Sequence, residues 1–258
     1  MNGWADQTLL LGVATARIAT AFLLLPIFSS ETVPALVRNS VFIALGLVSF
    51  ILQPAIDILA LGPGQWLQIF AKEVFVGLVV GFFFGSVLWA LEAAGQIIDT
   101  KVGATLAQIV DPLSGHQTSL NGAFLGRLAG VVFMASGGLT LLIGVLMESY
   151  ALWPIASTMP VLDARGLNLF IGEFGRLTVL ATLFAAPVLT VLFLIDMALG
   201  LMNRFAQQLN VFTLSLSIKA FAATLVLFML AGSYVEIVAR DIRSRPDVVI
   251  GILKGLSK

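Results

Sequence analysis

The sequence predicts an all-α membrane protein, and three observations support this fold class. Hydrophobic residues occupy 59% of the 258 positions and charged residues only 11%, whereas a soluble domain has roughly 45–50% apolar and about 25% charged residues. The apolar residues form long runs, as needed by helices that cross a hydrocarbon core of about 30 Å. The runs lack the alternation of barrel strands, and an open sheet would leave unpaired backbone groups in lipid. We therefore predict packed helical hairpins and broken helices.

Six apolar segments are predicted as helices. The first is interpreted as a retained helix rather than a signal peptide. A signal peptide begins with a basic segment, where this chain has the acidic Asp6, and Arg17 interrupts the apolar run that would form its core. Pro187 lies inside the fifth segment and predicts a kink or break, and this segment is long enough for a broken helix or a hairpin. Other prolines, among them Pro63 and Pro246, are predicted in connections. The segments cover approximately residues 8–29, 40–60, 66–91, 122–147, 168–202 and 209–239.

The charge balance excludes one class of partner. With 14 basic and 14 acidic side chains, the chain has no concentrated basic surface for nucleic acid. The last segment, "RDIRSRPDVVIGILKGLSK", nevertheless has more basic than acidic residues, which favours a cytoplasmic C-terminus. The side of the membrane on which the N-terminus lies is left open.

Enzyme and metal-site patterns are missing from the sequence. The chain has no cysteine and one histidine, His116, which is predicted to be an ordinary loop residue because no second ligand type accompanies it. We find no GxSxG, HExxH or GxxxxGK[ST] motif. No catalytic, cofactor-binding or metal-binding residue is therefore predicted.

Eleven charged residues lie in or beside the apolar runs. Each costs several kcal/mol if it faces lipid tails, so each is expected to pair, to snorkel or to line a pathway. So many charges in a small chain favour an environment of protein or water. The residues are Arg17, Lys72, Glu73, Glu92, Asp99, Lys101, Arg127, Glu173, Arg176, Asp196 and Lys219.

Small residues recur every four positions on several predicted helices, so that they lie along one helix face. Such a face allows another backbone to approach closely. Packing within this chain and docking on another subunit are both open interpretations. The two glycine stripes are Gly77, Gly81 and Gly85, and Gly122, Gly126 and Gly130; a third stripe, Gly95, Asp99, Gly103 and Ala107, leads into a polar loop over about 104–121.

The polar connector "NRFAQQLNVFTLSLSIKAF", residues 203–221, joins the last two apolar runs. Asp196, Arg204 and Gln208 lie on one helix face, with Gln207 beside them. Lys219 enters the following run, and a hairpin brings these polar side chains near the same membrane surface. Capping of two helices at the headgroup level is the simpler alternative.

The connector also resembles a known sequence. The pattern Q-x-N-x-x-T-L-S-x-x-x-K, from Gln208 and Asn210 to Lys219, is similar to the small two-helix subunit of the type III secretion export gate. Its position at the end of a longer chain resembles the FliR/SctT family. Further similar stretches, in family order, are "RNSVFIALGLVSFILQP", "KEVFVGLVVGFFFG", "AAGQIIDTKVG", "VDPLSG" and "GGLTLLIGVLMESYALWPI". The last of these favours the injectisome branch over the flagellar branch.

The resemblance implies a function and partners. Family members assemble with FliP/SctR-like and FliQ/SctS-like subunits, and with a FlhB/SctU-like switch protein, into a helical gate in the bacterial inner membrane. Unfolded polypeptides pass through it as cargo. The gate stands largely above the ordinary membrane plane, and membrane lipid is a further partner. The resemblance implies no cofactor. It divides the chain into an N-terminal region 1–165 similar to the larger partner subunit, a hairpin region 166–240 similar to the small two-helix subunit, and a basic cytoplasmic tail 241–258.

The resemblance also implies roles for two groups of residues. The connector is expected to line the cytoplasmic entrance through Arg204, Gln207, Gln208, Asn210 and Lys219. The loop is expected to act as a plug through Leu106, Ile109, Val110, Asp111, Pro112, Leu113, Ser114, Gly115 and His116.

Two other functions remain open from the residues alone. A secondary transporter would use Lys72, Glu73, Asp196 and Lys219 as coupling or substrate groups, although the sequence has no convincing inverted repeat. A membrane scaffold subunit without a conducting role is the second alternative.

Overall fold

The computed structural model describes residues 3–29, 32–52, 62–103, 119–157, 164–205 and 211–256. These residues form seven α-helices and one short 3-10 turn, Pro26–Phe28, with no strand among them. The predicted all-α fold class is therefore confirmed. The helices are α1 (Gly3–Leu23), α2 (Ala35–Leu52), α3 (Pro63–Val102), α4 (Leu120–Ala135), α5 (Gly138–Leu152), α6 (Ala164–Phe205) and α7 (Val211–Leu256).

Three of these helices are long and apolar enough to cross a membrane. They are α3, α6 and α7, with apolar spans Gly64–Val102, Asn168–Phe205 and Leu214–Leu256. Helices α4 and α5 together make a fourth if they count as one interrupted span. The apolar parts of α1 and α2 are shorter, at 10–17 residues. The chain is thus a membrane protein, and the described parts of its apolar segments form helices of unequal length.

The fourth apolar segment, predicted as one run over 122–147, is divided into two helices. The break lies at Gly137, whose φ of 79° is in the left-handed region. A residue with a Cβ is strained in this conformation, and glycine is not. Gly138, which starts α5, lies close to Phe133: a Cβ placed on Gly138 would be 2.7 Å from the Phe133 carbonyl oxygen. The two glycines therefore end one helix and begin the next.

The fifth segment is a single helix, so the break at Pro187 and the hairpin allowed by its length are both wrong. A kink at Pro187, the alternative to a break, stays a prediction. Helix α6 runs for 42 residues with Pro187 inside it. Pro246, predicted in a connection, likewise lies inside α7, which has 46 residues. A proline removes one backbone donor and costs about 3 kcal/mol, but the hydrogen bonds of many other turns hold these long helices together.

The chain divides into two compact units that do not follow sequence order. The first unit comprises Met1–Ser86, Phe133–Phe174 and Asp241–Lys258, and the second Val87–Val132 and Gly175–Arg240. Helices α3, α6 and α7 contribute residues to both units, so these boundaries fall within helices. The division at 165 and 240 implied by the resemblance concerns similarity to partner subunits and remains a prediction.

Each unit has an aromatic core. In the first, Phe22 of α1 contacts Phe28 and Phe42, with ring centroids 4.8 and 5.6 Å apart. In the second, the Tyr234 ring of α7 lies 5.2 Å from the Phe184 ring of α6, and the Tyr234 hydroxyl donates to the Phe184 carbonyl at 2.5 Å. These contacts hold α1 against α2 and α6 against α7.

Candidate functional site

A buried charge network, formed by Arg17, Lys72 and Glu73, lies inside the first unit. Arg17 of α1 donates two hydrogen bonds to the Glu73 carboxylate of α3, Nε to Oε2 at 2.7 Å and Nη2 to Oε1 at 2.8 Å. Lys72 Nζ lies 3.1 Å from Glu73 Oε1. All three side chains have 0% exposure. The geometry of the Arg17–Glu73 pair is bidentate, which is the strongest arrangement for these two groups.

Arg17 also reaches the C-terminal end of α5. Its Nη1 donates to Ser149 Oγ at 3.0 Å and its Nη2 to the Trp153 carbonyl at 2.8 Å. The guanidinium carbon lies 4.0 Å from the centre of the Tyr150 ring, in a cation–π contact. One side chain therefore links α1 to both α3 and α5.

Lys72 binds the turn that follows α5. Its ammonium group donates to the carbonyl oxygens of Pro154 at 2.6 Å, Ile155 at 2.8 Å and Ser157 at 3.1 Å. Two cations and one anion leave an excess positive charge in the network. That charge is met by carbonyl oxygens of the turn that follows α5, next to the negative end of this helix, where cations are favoured.

A second buried cluster in the first unit connects α3, α6 and α7. The Glu173 carboxylate accepts from Ser86 Oγ at 2.6 Å and from Arg245 Nη1 at 2.9 Å. Arg245, only 3% exposed, also donates to Asp241 at 2.9 and 2.6 Å. Arg245 is therefore part of a core contact in residues 241–256, which continue α7 as helix. The cytoplasmic location expected for this segment remains a prediction.

In the second unit, Asp99 joins α3 to the start of α4. Its Oδ2 accepts from Ser119 Oγ at 2.5 Å and from the Asn121 backbone N–H at 2.9 Å, and its Oδ1 accepts from Asn121 Nδ2 at 2.5 Å. Ser119 in turn caps α4, because its Oγ accepts the Gly122 N–H at 3.0 Å. Asp99 is 6% exposed, so these bonds are largely shielded from solvent.

The other charged cluster of the second unit is a triad of Lys101, Asp196 and Lys219. Asp196 of α6 lies 3.2 Å from Lys101 Nζ of α3 and 3.1 Å from Lys219 Nζ of α7. Asp196 and Lys101 are partly exposed, at 34% and 44%, whereas Lys219 is 12% exposed. The triad joins three helices and has one positive charge in excess.

The glycine stripes lie where helices approach closely. A Cβ at Gly81 would be 2.6 Å from the Ala21 carbonyl oxygen of α1, and one at Gly77 would overlap the Arg17 carbonyl oxygen. Within the second unit, a Cβ at Gly122 would be 2.9 Å from the Gln96 side chain. Of the remaining members, Gly126 has a looser contact, 3.4 Å to Glu92, and Gly85 and Gly130 are buried.

Several predicted residues lie outside the described part of the chain. The plug residues 106–116 fall within 104–118, and Gln207, Gln208 and Asn210 fall within 206–210. Of the connector, the structure describes Arg204, which is exposed, and Lys219, which belongs to the triad. Among the other internal charges, Glu92 and Arg176 are half-buried and Arg127 is exposed.

Sequence reasoning did not identify Ser149, Trp153 and Arg245 as partners of internal charges. Trp153 also connects the Arg17 network to α7, because its Nε1 donates to the Leu253 carbonyl at 3.2 Å. The i,i+4 spacing of Asp241 and Arg245 is a sequence signal for a helical pair. This spacing identifies Arg245 as a paired residue only if the last segment is predicted to be helical.

The buried charge network generates a stability prediction. Replacing Glu73 with Gln leaves Arg17 and Lys72 without their anion, and breaking a buried ion pair costs about 3–5 kcal/mol. We expect a clearly lower thermal unfolding temperature for Glu73→Gln in detergent.

The matched control is Glu236→Gln, which removes an exposed carboxylate paired with Arg240 at 2.8 Å. An exposed pair of this kind contributes about 0–1 kcal/mol, so the unfolding temperature should hardly change. Equal effects of the two variants would show that the network is not a main source of stability.

Comparisons with known proteins identify the family of this chain. The model of the family described as bacterial export proteins, family 1, matches residues 8–244. The chain is 34% identical over 215 residues to the Yop proteins translocation protein T of Yersinia pestis, covering 82% of this chain and 81% of that protein. It is 34% identical to the secretion system apparatus protein SsaT of Salmonella typhimurium, covering 89% and 88%. It is 29% identical to the flagellar biosynthetic protein FliR of Bacillus subtilis, covering 88% of each. The chain therefore belongs to family 1 of the bacterial export proteins.

Proposed function

We propose that this chain is a subunit of the type III secretion export gate. With two partner membrane proteins it forms the channel through which unfolded proteins cross the bacterial inner membrane. The observation that carries the proposal is the family match over 8–244. It is accompanied by relatives named for Yop translocation, for a secretion system apparatus and for flagellar biosynthesis.

The internal charges support an assembly subunit over a solute transporter. Lys72 and Glu73, two of the four residues that a transporter would use, are fully buried. Lys72 is bonded to backbone carbonyl groups of the turn after α5. Groups held in this way fix helices together, whereas a coupling site needs access to solvent and substrate. The relatives give no support to a transporter or to a scaffold without a conducting role.

Exposed apolar side chains on α6 and α7 support partner subunits. Phe205 is 86% exposed, and Phe221 and Phe228 are 72% and 80% exposed. Large apolar surfaces of this kind are covered by lipid or protein. The proposed protein neighbours are FliP/SctR-like and FliQ/SctS-like subunits and a FlhB/SctU-like switch protein.

The injectisome branch is supported by the degree of similarity. The relatives named for Yop translocation and for a secretion system apparatus are 34% identical to this chain, and the flagellar relative of Bacillus subtilis is 29% identical. We therefore assign the chain to an injectisome. It is expected to lie at the base of that assembly.

A co-purification and secretion experiment tests the proposed function. The tagged chain, expressed with its two proposed partners, should purify with both in one detergent-stable complex. Deleting its gene should abolish secretion, and the wild-type gene should restore it. A folded, monodisperse chain obtained without partners, together with normal secretion in the deletion strain, would contradict the proposal.

The connector is proposed to contact other subunits or the passing polypeptide at the cytoplasmic entrance. Lys219 is the described residue that tests this role. Lys219→Glu reverses the excess charge of the triad, and we expect secretion to fall to background at a normal protein level. Arg243→Glu, an equally large charge reversal at an exposed position of the same helix, should secrete normally.

The paired variant Asp196→Lys with Lys219→Glu separates two explanations. It restores an ion pair between positions 196 and 219 and the net charge of the triad. It also places a second cation against Lys101, which lies 3.2 Å from Asp196, so rescue of secretion is its informative outcome. Because an outward contact needs the cation at its original position, secretion should stay defective in the double variant. Full rescue would mean that Lys219 acts only within the chain, as a helix-capping residue.

The segment predicted as a loop over about 104–121, whose last two residues, Leu120 and Asn121, belong to α4, is proposed as a plug that keeps the resting gate closed. A channel wide enough for an unfolded polypeptide also passes ions unless something fills it. The loop has apolar Leu106, Ile109, Val110 and Leu113 for a seal and Asp111-Pro112 for a turn.

Removing residues 111–117 tests the plug. Ion conductance of the purified gate in planar bilayers should rise, and cells should become sensitive to small toxic solutes, while the complex still assembles. Unchanged conductance in an intact complex would mean that the loop is an ordinary surface loop.

A further inference from the structure

Four exposed residues of α4 form a ridge along one face of this helix. They are Leu120, which is 78% exposed, Phe124, which is 51% exposed, Arg127, and Val131, which is 66% exposed. Their spacing of four, three and four residues is that of the a and d positions of a heptad, the pattern with which one helix packs against another. Among the described residues of α4 up to Val132, no other is exposed.

The opposite face of α4 is packed within the chain. Leu125 and Ala129 are only 1% and 0% exposed. A Cβ at Gly95 of α3 would lie 2.5 Å from backbone atoms of Asn121 and Gly122, so the start of α4 is pressed against α3. With about 3.6 residues per turn, the buried positions lie on the side of the helix away from the ridge. The contact with α3 therefore turns the ridge outward.

Arg127, in the middle of the ridge, has no partner within the chain. Among the described residues it makes neither an ion pair nor a hydrogen bond. Glu92 of α3 lies on the packed side of α4, where a Cβ at Gly126 would be 3.5 Å from its Oε2. The guanidinium group has five N–H donors, and in an apolar environment these donors need acceptors.

The residues that flank Arg127 on the ridge are apolar in both directions. Phe124 precedes it by about one turn and Val131 follows it by about one turn. A lipid phosphate holds an arginine at the membrane surface, where one of the two flanking turns is expected to be polar. Lipid tails offer no acceptor. A helix with a carboxylate meets both needs, because it covers the apolar residues and accepts from the guanidinium group through two oxygens.

We propose that the ridge of α4 is the docking surface for a helix of one partner membrane protein of the export gate. The facing stretch of that helix is apolar and has one aspartate or glutamate opposite Arg127. This inference rests on the proposed function, which supplies the partner subunits. It adds which face of the chain one of them covers and which charge that partner must provide.

Photo-crosslinking from the ridge identifies its occupant with every charge unchanged. Benzoylphenylalanine, a photoreactive amino acid, replaces Phe124 in the complete gate, and mass spectrometry identifies the molecule attached after illumination. We expect attachment to a helix of a co-expressed partner subunit, within about two turns of an aspartate or glutamate. Attachment only to lipid, only to a second copy of this chain, or to a partner segment without such an acid would overturn the inference.

Charge changes at Arg127 measure what the cation contributes to docking. Arg127→Glu and Arg127→Leu both leave the partner's carboxylate without a cation, so the amount of that partner co-purified with the tagged chain should fall at least about tenfold. Arg127→Lys keeps the charge but loses the planar guanidinium, and it should give a smaller loss. Arg243→Glu, a charge reversal at an exposed position of α7, is the matched control and should co-purify normally.

A charge exchange across the interface separates docking from a role in folding. Arg127→Glu combined with lysine in place of the facing acid of the partner should recover the complex, because the ion pair is rebuilt with opposite polarity. If Arg127→Glu is not produced at a normal level, Arg127→Leu and the cross-link decide the question.

Two further results would contradict the inference. Normal co-purification of Arg127→Leu means that the cation has no carboxylate partner, and an unrecovered charge exchange means that the two groups do not face each other. In both cases the wild-type complex still forms, so the proposed function stands. A wild-type chain that does not co-purify with its partners contradicts the proposed function itself, which distinguishes the two failures.

Discussion

The buried pairing of Arg17 with Glu73 is the interaction on which the first unit depends. Burying an ion pair is expensive unless the geometry is good and the remaining donors are satisfied. Here the two bonds at 2.7 and 2.8 Å are supplemented by Ser149, the Trp153 carbonyl and the Tyr150 ring. The cost of burial is thus offset only when α1, α3 and α5 are all in place. The pair therefore specifies one arrangement of these helices. Apolar contacts alone would specify it poorly in a membrane protein, because an apolar side chain can contact lipid as favourably as it contacts another helix.

The same reasoning explains why charges are so frequent in this chain. In water, the hydrophobic effect brings helices together, but in lipid that drive is small and close packing and polar contacts replace it. The glycine contacts of α3 with α1 supply the close packing, and the clusters around Glu73, Glu173 and Asp196 supply the polar contacts. The internal charges are therefore mainly structural in this chain, and the partly exposed triad is the cluster best placed to meet another molecule.

The C-terminal residues show how context changes the meaning of a sequence. Arg245 belongs to a segment with the composition of a basic tail, which usually implies solvent or lipid headgroups. In the structure the segment is helical, and Arg245 is paired with Glu173 and Asp241 inside the first unit. Truncations in this segment therefore affect the core of the first unit as well as the charge of the C-terminus.

The sequence by itself determined the membrane character, the helical class and the family. Hydrophobic content, run length and motif order are properties of neighbouring residues, and they need no tertiary contact to be read. The sequence also showed that charges such as Lys72 and Glu73 require partners. Only the tertiary structure decided which partners they have, because Ser149, Trp153 and the carbonyls after α5 are distant in sequence and carry no periodic signal. It also decided that α6 passes through Pro187 unbroken, since the many hydrogen bonds of a long helix outweigh the loss of one.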